Sequence, residues 1–386
     1  MNSSKPTILY LNTEPDSHIH AMTLAGMRRY AAHCGWSVKP IPRQDAGPEA
    51  LAALLAAHHH VIGWVVESHN GSCIHDPTLF GNAPVVFLHP PPELRAGRTV
   101  CVTTDNAGVA RMAFRELSAD RPAAFAAAGI AFGYPWSDER VRVFRSLCKA
   151  SRTPCLVFDP TGGDSRTRPR RLRDWVATLP RHSAVFAVSD FVAIEIAAAA
   201  RTTGRSIPRD LTLIGVDNDE KFCEASRPGL SSILLDHERA GFLAARLLAA
   251  EMTKKRTNAP SAVIGPLLAV RRESTRGRGR REKFVLDAVE TIRREACNGL
   301  SVANLAGRFR CSRRLFDLRF REAMGHSALD EILQTRFERV FALLSRPDVS
   351  IGSIADFSGF GCQYELRKLF RLRYGCSLSQ WRRDNT

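Results

Sequence analysis

The chain has 386 residues, of which 44% are hydrophobic and 24% are charged, a composition typical of a soluble protein with two or three domains. No stretch approaches the roughly 18 apolar residues of a membrane-spanning helix, and the N-terminus lacks the apolar core of a signal peptide. A cytoplasmic location is therefore predicted. The net charge of +16 favours a polyanionic partner, and residues 271–386 carry most of the excess, with 24 Lys and Arg against 14 Asp and Glu.

Up to about residue 270, short apolar runs alternate with amphipathic stretches. The apolar runs predict strands at 7–12, 61–67, 83–89, 123–129, 155–159, 184–190 and 211–217. The amphipathic stretches predict helices at 20–35, 107–117, 138–150, 191–204 and 237–252. Because the strands are nearly all apolar and alternate with helices, the pattern predicts α/β architecture with parallel sheets covered on both faces. The length favours two such sheets.

Several of these strands end in an aspartate: Asp105, Asp190 and Asp217, the last followed by Asn218. Ligands of open α/β sheets bind at the carboxyl ends of strands, and carboxylate and amide groups there suit a polyhydroxylated ligand. Arg140 is a donor that can join them. Asp105 and Asp190 can equally be helix N-caps, so Asp217 with Asn218 is the stronger candidate.

Motifs for catalysis or cofactor binding are missing from the sequence. It contains neither a glycine-rich phosphate loop nor a GxSxG nucleophile motif. Ten cysteines occur without a CxxC pair, and the three-histidine run at 58–60 has no second cluster at metal-ligand spacing. We expect no cofactor, no metal site and no catalytic residues.

Residues 271–283 (RRESTRGRGRREK) are polar and basic and contain two glycines, which indicates a domain boundary. The predicted division is a domain at 1–273, a basic linker at 274–284 and a second domain at 285–386. The linker is interpreted as a solvated tether, with phosphate contacts as the alternative.

Beyond residue 284 the strand signals stop and the sequence repeats itself. SVANLA (301–306) matches SIGSIA (350–355), and FREAMGHS (320–327) matches FRLRYGCS (370–377). Each copy fits a short helix, a tight turn and a longer helix, so the sequence predicts two helix-turn-helix motifs in an all-α domain. The amphipathic stretch at 329–344 fits a helix that connects them.

The second helix of each copy has a polar face. Ser312 is the expected N-cap, and Leu315, Phe316 and Phe320 are placed in the core. The outward side chains are the candidate DNA-binding residues: Arg313, Arg314, Asp317 and Arg321 in the first copy, and Gln363, Tyr364, Arg367 and Lys368 in the second. Arg and Gln at the start of such a helix can bond guanine and adenine, whereas Arg321 is expected on phosphate. A solvated basic face is the alternative for either helix alone, and the repeat favours DNA.

Residues 285–386 resemble the two-subdomain DNA-binding domain of the AraC/XylS family. The resemblance rests on the S-x-x-x-L-A opening at 301–306, the closure at 320–327, and IADFSGFGCQYELRKLFRLRYGCSLSQWR at 354–382. One position departs, because the family usually has a basic residue where this chain has Leu318. That departure moves the expected base contacts toward Arg313 and Arg314.

Residues 5–273 resemble the periplasmic-binding-protein-like sensor of LacI/GalR regulators. The carrying motifs are TDNAGVARMAFREL (104–117), AVSDFVAIEIAAAA (187–200), IPRDLTLIGVDND (207–219) and LSSILLDHERAGFLAARLL (230–248), together with an R-x-x-x-F motif that has Val143 where glycine is usual. The resemblance implies a sugar cleft lined by Asp105, Arg140, Asp190 and Asp217, with Asn106 and Asn218 close by.

The two resemblances together imply a transcription regulator, most simply a homodimer, that binds double-stranded DNA under control of a small sugar. A pentose such as D-xylose is the leading expectation for the effector. Two alternatives stay open: a constitutive DNA-binding protein whose N-terminal domain only dimerises, and a sugar-active enzyme with a basic C-terminal domain.

Overall fold

The computed structural model describes residues 5–12, 17–42, 53, 60–67, 77–80, 83–90, 99–130, 134–161, 165–252, 261–275, 280–346 and 348–385. Its strands are β1 (Thr7–Asn12), β2 (Ser37–Pro42), β3 (Val61–Glu67), β4 (Val85–Leu88), β5 (Cys101–Thr104), β6 (Ala124–Ala128), β7 (Cys155–Phe158), β8 (Ser183–Ala187), β9 (Leu211–Val216), β10 (Ser231–Leu235), β11 (Ala262–Ile264) and β12 (Pro266–Val270).

The helices of the first two thirds are α1 (His18–Cys34), α2 (Asn106–Ser118), α3 (Pro135–Ala150), α4 (Arg168–Thr178), α5 (Asp190–Thr202), α6 (Glu220–Ala225) and α7 (His237–Met252). The remaining helices are α8 (Arg280–Glu295), α9 (Val302–Arg308), α10 (Arg313–Met324), α11 (Ala328–Leu344), α12 (Ile354–Ser358), α13 (Gln363–Tyr374) and α14 (Leu378–Asn385). None of the described helices is long and apolar enough to cross a bilayer.

The strands form two six-stranded sheets, as predicted. Lobe 1 has the order β11-β5-β4-β3-β1-β2 and is parallel throughout, with α1 and α7 packed on it. Lobe 2 has the order β12-β10-β9-β8-β6-β7, in which β12 alone is antiparallel to its neighbour, and α2–α6 pack on it. The chain passes between the lobes at β5–α2, at α7 and at β11–β12, so the facing strand ends are held together.

Several elements escaped prediction for physical reasons. β2 (SVKPIP) contains two prolines, which a central strand excludes, but it lies at the edge of its sheet where a missing N–H is tolerated. β12 also begins with proline and is also an edge strand. α4 is highly charged and buries only Leu172 and Val176, so its apolar periodicity is weak.

The C-terminal part is all-helical and contains the two predicted helix-turn-helix units, α9–α10 and α12–α13, joined by α11. Ser312 caps α10 by accepting a hydrogen bond from the Leu315 N–H, as predicted. Phe316 and Phe320 are buried as expected, but Leu315 is 37% exposed. Its predicted core position is wrong. Successive residues of a helix are about 100° apart around the axis, so the side chain directly before the buried Phe316 points away from the core.

The predicted linker at 274–284 is only partly irregular. Residues 276–279 lie outside the described residues, and α8 already begins at Arg280. Arginine, glutamate and lysine at 280–283 are good helix formers, so the helix that buries Val285 and Ala288 extends back through them. The domain limits themselves stay a prediction.

The helical domain packs directly on lobe 2. Leu268 and Val270 of β12 share one apolar core with Val285, Phe316 and Phe320 of the helical domain. On the other side, Ala342 of α11 joins the core beneath α1 and α7 of lobe 1. Both lobes therefore contact the helical domain.

Candidate functional site

A cavity lined by both apolar and charged side chains lies where the strand ends of the two lobes meet. The residues that line it are Ile19, Glu67, His89 and Thr104 from lobe 1, and Trp136, Arg140, Asp217, Leu235 and His237 from α3, the strand ends of lobe 2 and the start of α7. Glu67, Thr104 and Leu235 are the last residues of their strands. The cavity therefore has the position that ligand sites of open α/β sheets occupy.

Arg140 is the buried cation of this cavity, with 4% of its surface exposed. Its Nε donates to Asn106 Oδ1 at 3.0 Å and its Nη1 to the Val188 carbonyl at 2.7 Å, while its guanidinium lies 4.7 Å from the Trp136 ring centroid. Burial lowers the pKa of Arg140 to about 10, opposed by the nearby carboxylates of Asp217 and Glu139. The side chain remains charged at neutral pH and its orientation is set by the protein.

Asp217 is the carboxylate that lines the same cavity, and 13% of its side chain is exposed. Burial raises its pKa, but the hydrogen bond with His237 and the electrostatic interactions with His237, Arg140 and His89 outweigh burial and hold the pKa below its usual range. Its Oδ1 lies 3.3 Å from His237 Nε2. Asp217 and Asn218 have φ values of 100° and 54°, a left-handed backbone that side chains rarely adopt and that is concentrated at functional sites.

Asn106 and Asp105 sit beside the cavity with different roles. The Asn106 amide accepts from Arg140 and donates to Glu139 Oε2 at 3.1 Å, so it orients the arginine. Asp105 caps α2 by accepting from the Gly108 N–H at 2.7 Å and pairs with Arg111. For Asp105 the helix-cap interpretation is therefore confirmed.

Asp190 and Asn218 are buried behind the cavity wall. Asp190 accepts from the Ser232 hydroxyl at 2.6 Å and the Asp219 N–H at 2.8 Å, and burial, together with the charge of Asp217, raises its pKa to about 8. It is not the cap of α5, a role taken by Ser189. The Asn218 side chain accepts from Arg272 Nη1 at 2.9 Å. In the described contacts, both side chains bond protein groups at the strand ends.

Of the nine lining residues, the sequence reasoning selected Arg140 and Asp217 and missed the other seven. Glu67 and His89 come at or directly after strand ends, so the rule that selected the aspartates also applied to them. Trp136 precedes Arg140 by one helical turn on α3, a spacing that puts both on one face. His237 carried no local signal, because only the packing of α7 against lobe 1 brings it to the cavity.

The candidate DNA-binding face lies on α10 and α13, and unlike the cavity it consists mostly of exposed side chains. On α10, Arg313, Arg314 and Arg321 are exposed, and Asp317 is half-buried with no described hydrogen-bond partner for its Oδ1. Leu318, the position that departs from the AraC/XylS pattern, is 53% exposed on the same helix.

On α13, Tyr364 is 74% exposed, and Arg367 and Lys368 are exposed beside it. Gln363 is also exposed, but its amide nitrogen donates to the Gly352 carbonyl at 2.7 Å. Both helices have 12 residues and end at a glycine with left-handed backbone, Gly325 and Gly375. The repeat seen in the sequence is therefore a structural repeat.

Within the described part of the chain, no group of His, Cys, Asp and Glu is arranged to hold a metal ion. Family models match two segments of the chain. A periplasmic binding protein-like domain matches residues 112–275, and a helix-turn-helix domain matches residues 305–384.

Curated relatives match over most of the chain. The xylose operon regulatory protein of Escherichia coli (strain K12) is 27% identical over 290 residues, which cover 74% of this chain and 74% of that protein. The protein of the same name from Haemophilus influenzae is 25% identical over 286 residues, covering 73% and 74%.

Solved structures show the same fold. The xylose-binding transcription activator xylR superposes with a TM-score of 0.60 at 22% identity and covers all of both chains. The transcriptional regulator CelR in its cellobiose complex gives a TM-score of 0.60 at 22% identity, over 71% of this chain and 85% of that one. The chain thus joins a periplasmic binding protein-like domain to a helix-turn-helix domain, and over most of its length it is similar to the xylose operon regulatory proteins.

Proposed function

We propose that a small sugar binds in the cavity between the lobes and controls how the helix-turn-helix domain binds DNA. The observation that carries this proposal is that Arg140 and Asp217, both held by neighbouring protein groups, line a cavity that also contains the Trp136 ring. Each sugar hydroxyl both donates and accepts, so a fixed cation and a fixed carboxylate bond neighbouring hydroxyls, while the indole provides an apolar wall for the C–H face.

A pentose, D-xylose first, is the proposed effector. Support comes from the relatives whose names refer to xylose and from the full-length likeness to xylR. The mixture of charged, imidazole and hydroxyl groups around the cavity suits a neutral polyol better than a phosphorylated ligand, because Glu67 and Asp217 would repel a phosphate.

For the DNA side, α10 and α13 are the proposed reading helices. Arg313 and Arg314 are proposed to bond bases, Arg321 and Lys368 to bind phosphate, and Gln363, Tyr364 and Arg367 to contact the second groove segment, with Asp317 limiting which bases fit. The two helices of one protomer would enter adjacent major-groove segments about 34 Å apart. A homodimer acting in the cytoplasm, without catalytic activity, completes the proposal.

A thermal-shift screen of monosaccharides on the full-length protein tests the sugar site. Ligand at 100 times its dissociation constant should add about 2.7 kcal/mol to the free energy of unfolding. Asp217→Ala should abolish the response of operator affinity to the sugar and leave affinity without sugar nearly unchanged. If no sugar shifts melting temperature or operator affinity, a constitutive DNA-binding protein replaces this proposal, and turnover of a pentose or hexose would make the chain an enzyme.

A further inference from the structure

The first turn of α7 presents consecutive residues to two different parts of the molecule. His237 lines the cavity, with its Nε2 beside Asp217. Asp236 and Glu238, directly before and after it, both bind Arg293 of α8 in the helical domain: Arg293 Nη2 lies 2.5 Å from Asp236 Oδ2, and Nη1 lies 3.2 Å from Glu238 Oε2. One turn of helix therefore touches both the cavity and the DNA-binding domain.

These pairs belong to a larger set of charges, here called the junction cluster: Arg29, Asp236, Glu238, Arg239, Arg293 and Glu338. Arg29 on α1 lies 3.4 Å from Glu238 and 3.3 Å from Glu338 on α11, and Arg239 lies 3.8 Å from Glu338. The cluster has three cations and three anions. It joins lobe 1 to both α8 and α11 of the helical domain.

Water has little access to the junction cluster and so cannot readily replace its ion-pair partners. Asp236 is 4% exposed, and its Oδ1 also accepts from the Arg239 N–H at the start of α7. A buried carboxylate that loses its cation partner carries a large desolvation penalty. If Asp236 moves, Arg293 must therefore move with it, or their ion pair breaks at a large cost in free energy.

The start of α7 is also held tightly by lobe 1. Gly26 on α1 and Gly241 on α7 lie at a close crossing, where a Cβ on Gly26 would overlap the Glu238 carbonyl and one on Gly241 would overlap the Thr23 carbonyl. This crossing leaves little room for α7 to slide along α1.

His237 itself has capacity for a ligand. It is buried, and its Nδ1 has no hydrogen-bond partner among the described residues, although buried polar groups are almost always paired. Since His237 lines the cavity, a sugar bound there would contact this side chain.

We propose that sugar binding is sensed at His237 and passed to the DNA-binding domain through the flanking Asp236 and Glu238, with Arg293 as the receiving residue. The inference rests on the proposed function, because it needs a sugar in the cavity. It adds a ligand contact and the route by which that contact changes DNA binding. Such coupling requires that the sugar bind one arrangement of the domains better than the other.

The test measures coupling rather than either binding event alone. Full-length protein is titrated with D-xylose by calorimetry, with and without operator DNA selected by the wild-type protein from a random pool. Linkage requires that DNA change sugar affinity by the same factor as sugar changes DNA affinity, and such factors are typically about 5 to 150. In Arg293→Met we expect that factor to fall to within about twofold of one, with each single affinity kept within about threefold.

Arg294→Met is the matched control. Arg294 is the next residue on α8, exposed, and its described ion pair is with Glu295 on the same helix. It should keep the wild-type coupling factor. Glu238→Gln, which keeps the side-chain shape, serves as a second variant if Arg293→Met folds poorly by circular dichroism, and it too should lower the factor.

A wild-type coupling factor in folded Arg293→Met and Glu238→Gln would overturn the route and leave the sugar site standing. Absence of sugar binding to the wild-type chain would overturn the proposed function and the route together. Loss of sugar affinity in His237→Ala, measured on the protein without DNA, is expected, and unchanged affinity would remove His237 from the route.

Discussion

The cavity between the lobes uses charged side chains in the opposite way to the exposed face of α10 and α13 that is proposed to bind DNA, here called the reading face. In the cavity, Arg140 is buried and Asp217 is partly buried, and both are already bonded to neighbouring protein groups. On the reading face, Arg313, Arg314 and Lys368 are exposed. Buried polar groups must be paired within the protein, whereas exposed donors keep their bonding capacity for another molecule.

This difference predicts that substitutions at the two places affect different quantities, namely the stability of the fold and the affinity for DNA. A substitution in the cavity removes a partner from a buried network and so lowers the stability of the fold. A substitution on the reading face should remove a contact that is proposed to form only with DNA, and it should leave the fold intact.

Arg140→Met should lower the free energy of unfolding by about 3 kcal/mol, because Asn106 Oδ1 and the Val188 carbonyl lose their donor in a buried site. Urea denaturation measures the loss. Arg142→Met, an exposed position on the same helix, should stay within about 0.5 kcal/mol of wild type. Equal losses in the two variants would contradict the contrast between buried and exposed arginines.

Arg314→Ala should weaken operator binding by about 1–3 kcal/mol if the side chain bonds a guanine, and it should leave the unfolding free energy within about 0.5 kcal/mol. Fluorescence anisotropy with operator and with random DNA separates specific from general loss. Arg201→Ala, an exposed arginine on α5, is the control. An unchanged operator affinity and footprint would mean that Arg314 does not contact DNA.

Lys368→Ala should weaken binding to operator and random DNA alike, by less than Arg314→Ala, because a phosphate contact carries no sequence information. The slope of log affinity against log salt concentration should shrink by about 1, since one fewer counterion is released. Titrations at several salt concentrations measure this slope. A loss confined to operator DNA would instead assign Lys368 to a base.

Asp190→Asn should flatten the pH dependence of stability. The pKa of Asp190 is raised to about 8 in the folded protein, so the native state keeps a proton that the unfolded state releases near its ordinary value of 3.8. Stability from this group is present at low pH and is lost as pH rises toward about 8. Urea denaturation across that range should show a shallower decline in the variant, and an identical decline would assign the slope to other groups.

The sequence was informative where structure is local. Buried strands of nearly unbroken apolar residues, such as β1 and β3, were predicted with their observed limits. The repeat predicted both helix-turn-helix units, because each copy contains its own cap, core phenylalanine or leucine and terminal glycine. The outward position of Arg314 and Lys368 follows from helical periodicity alone.

The sequence was less informative where a residue's role depends on a distant partner. Asp105 and Asp190 look alike as strand-end aspartates, yet Asp105 caps α2 whereas Asp190 is buried among Ser232, Asp219 and Cys223. Leu315 was assigned to the core because its apolar side chain fitted the pattern, and the rotation of α10 placed it outside.

By itself, then, the sequence determined the α/β sensor, the paired helix-turn-helix motifs and the basic faces of their second helices, since these depend on patterns within about twenty residues. Only the tertiary structure decided that Trp136 and His237 join Arg140 and Asp217 around one cavity, and that Asp236 and Glu238 meet Arg293. Those contacts join residues separated by tens of positions in the chain. They exist because the packing of two lobes and a helical domain buries charges that must then find partners.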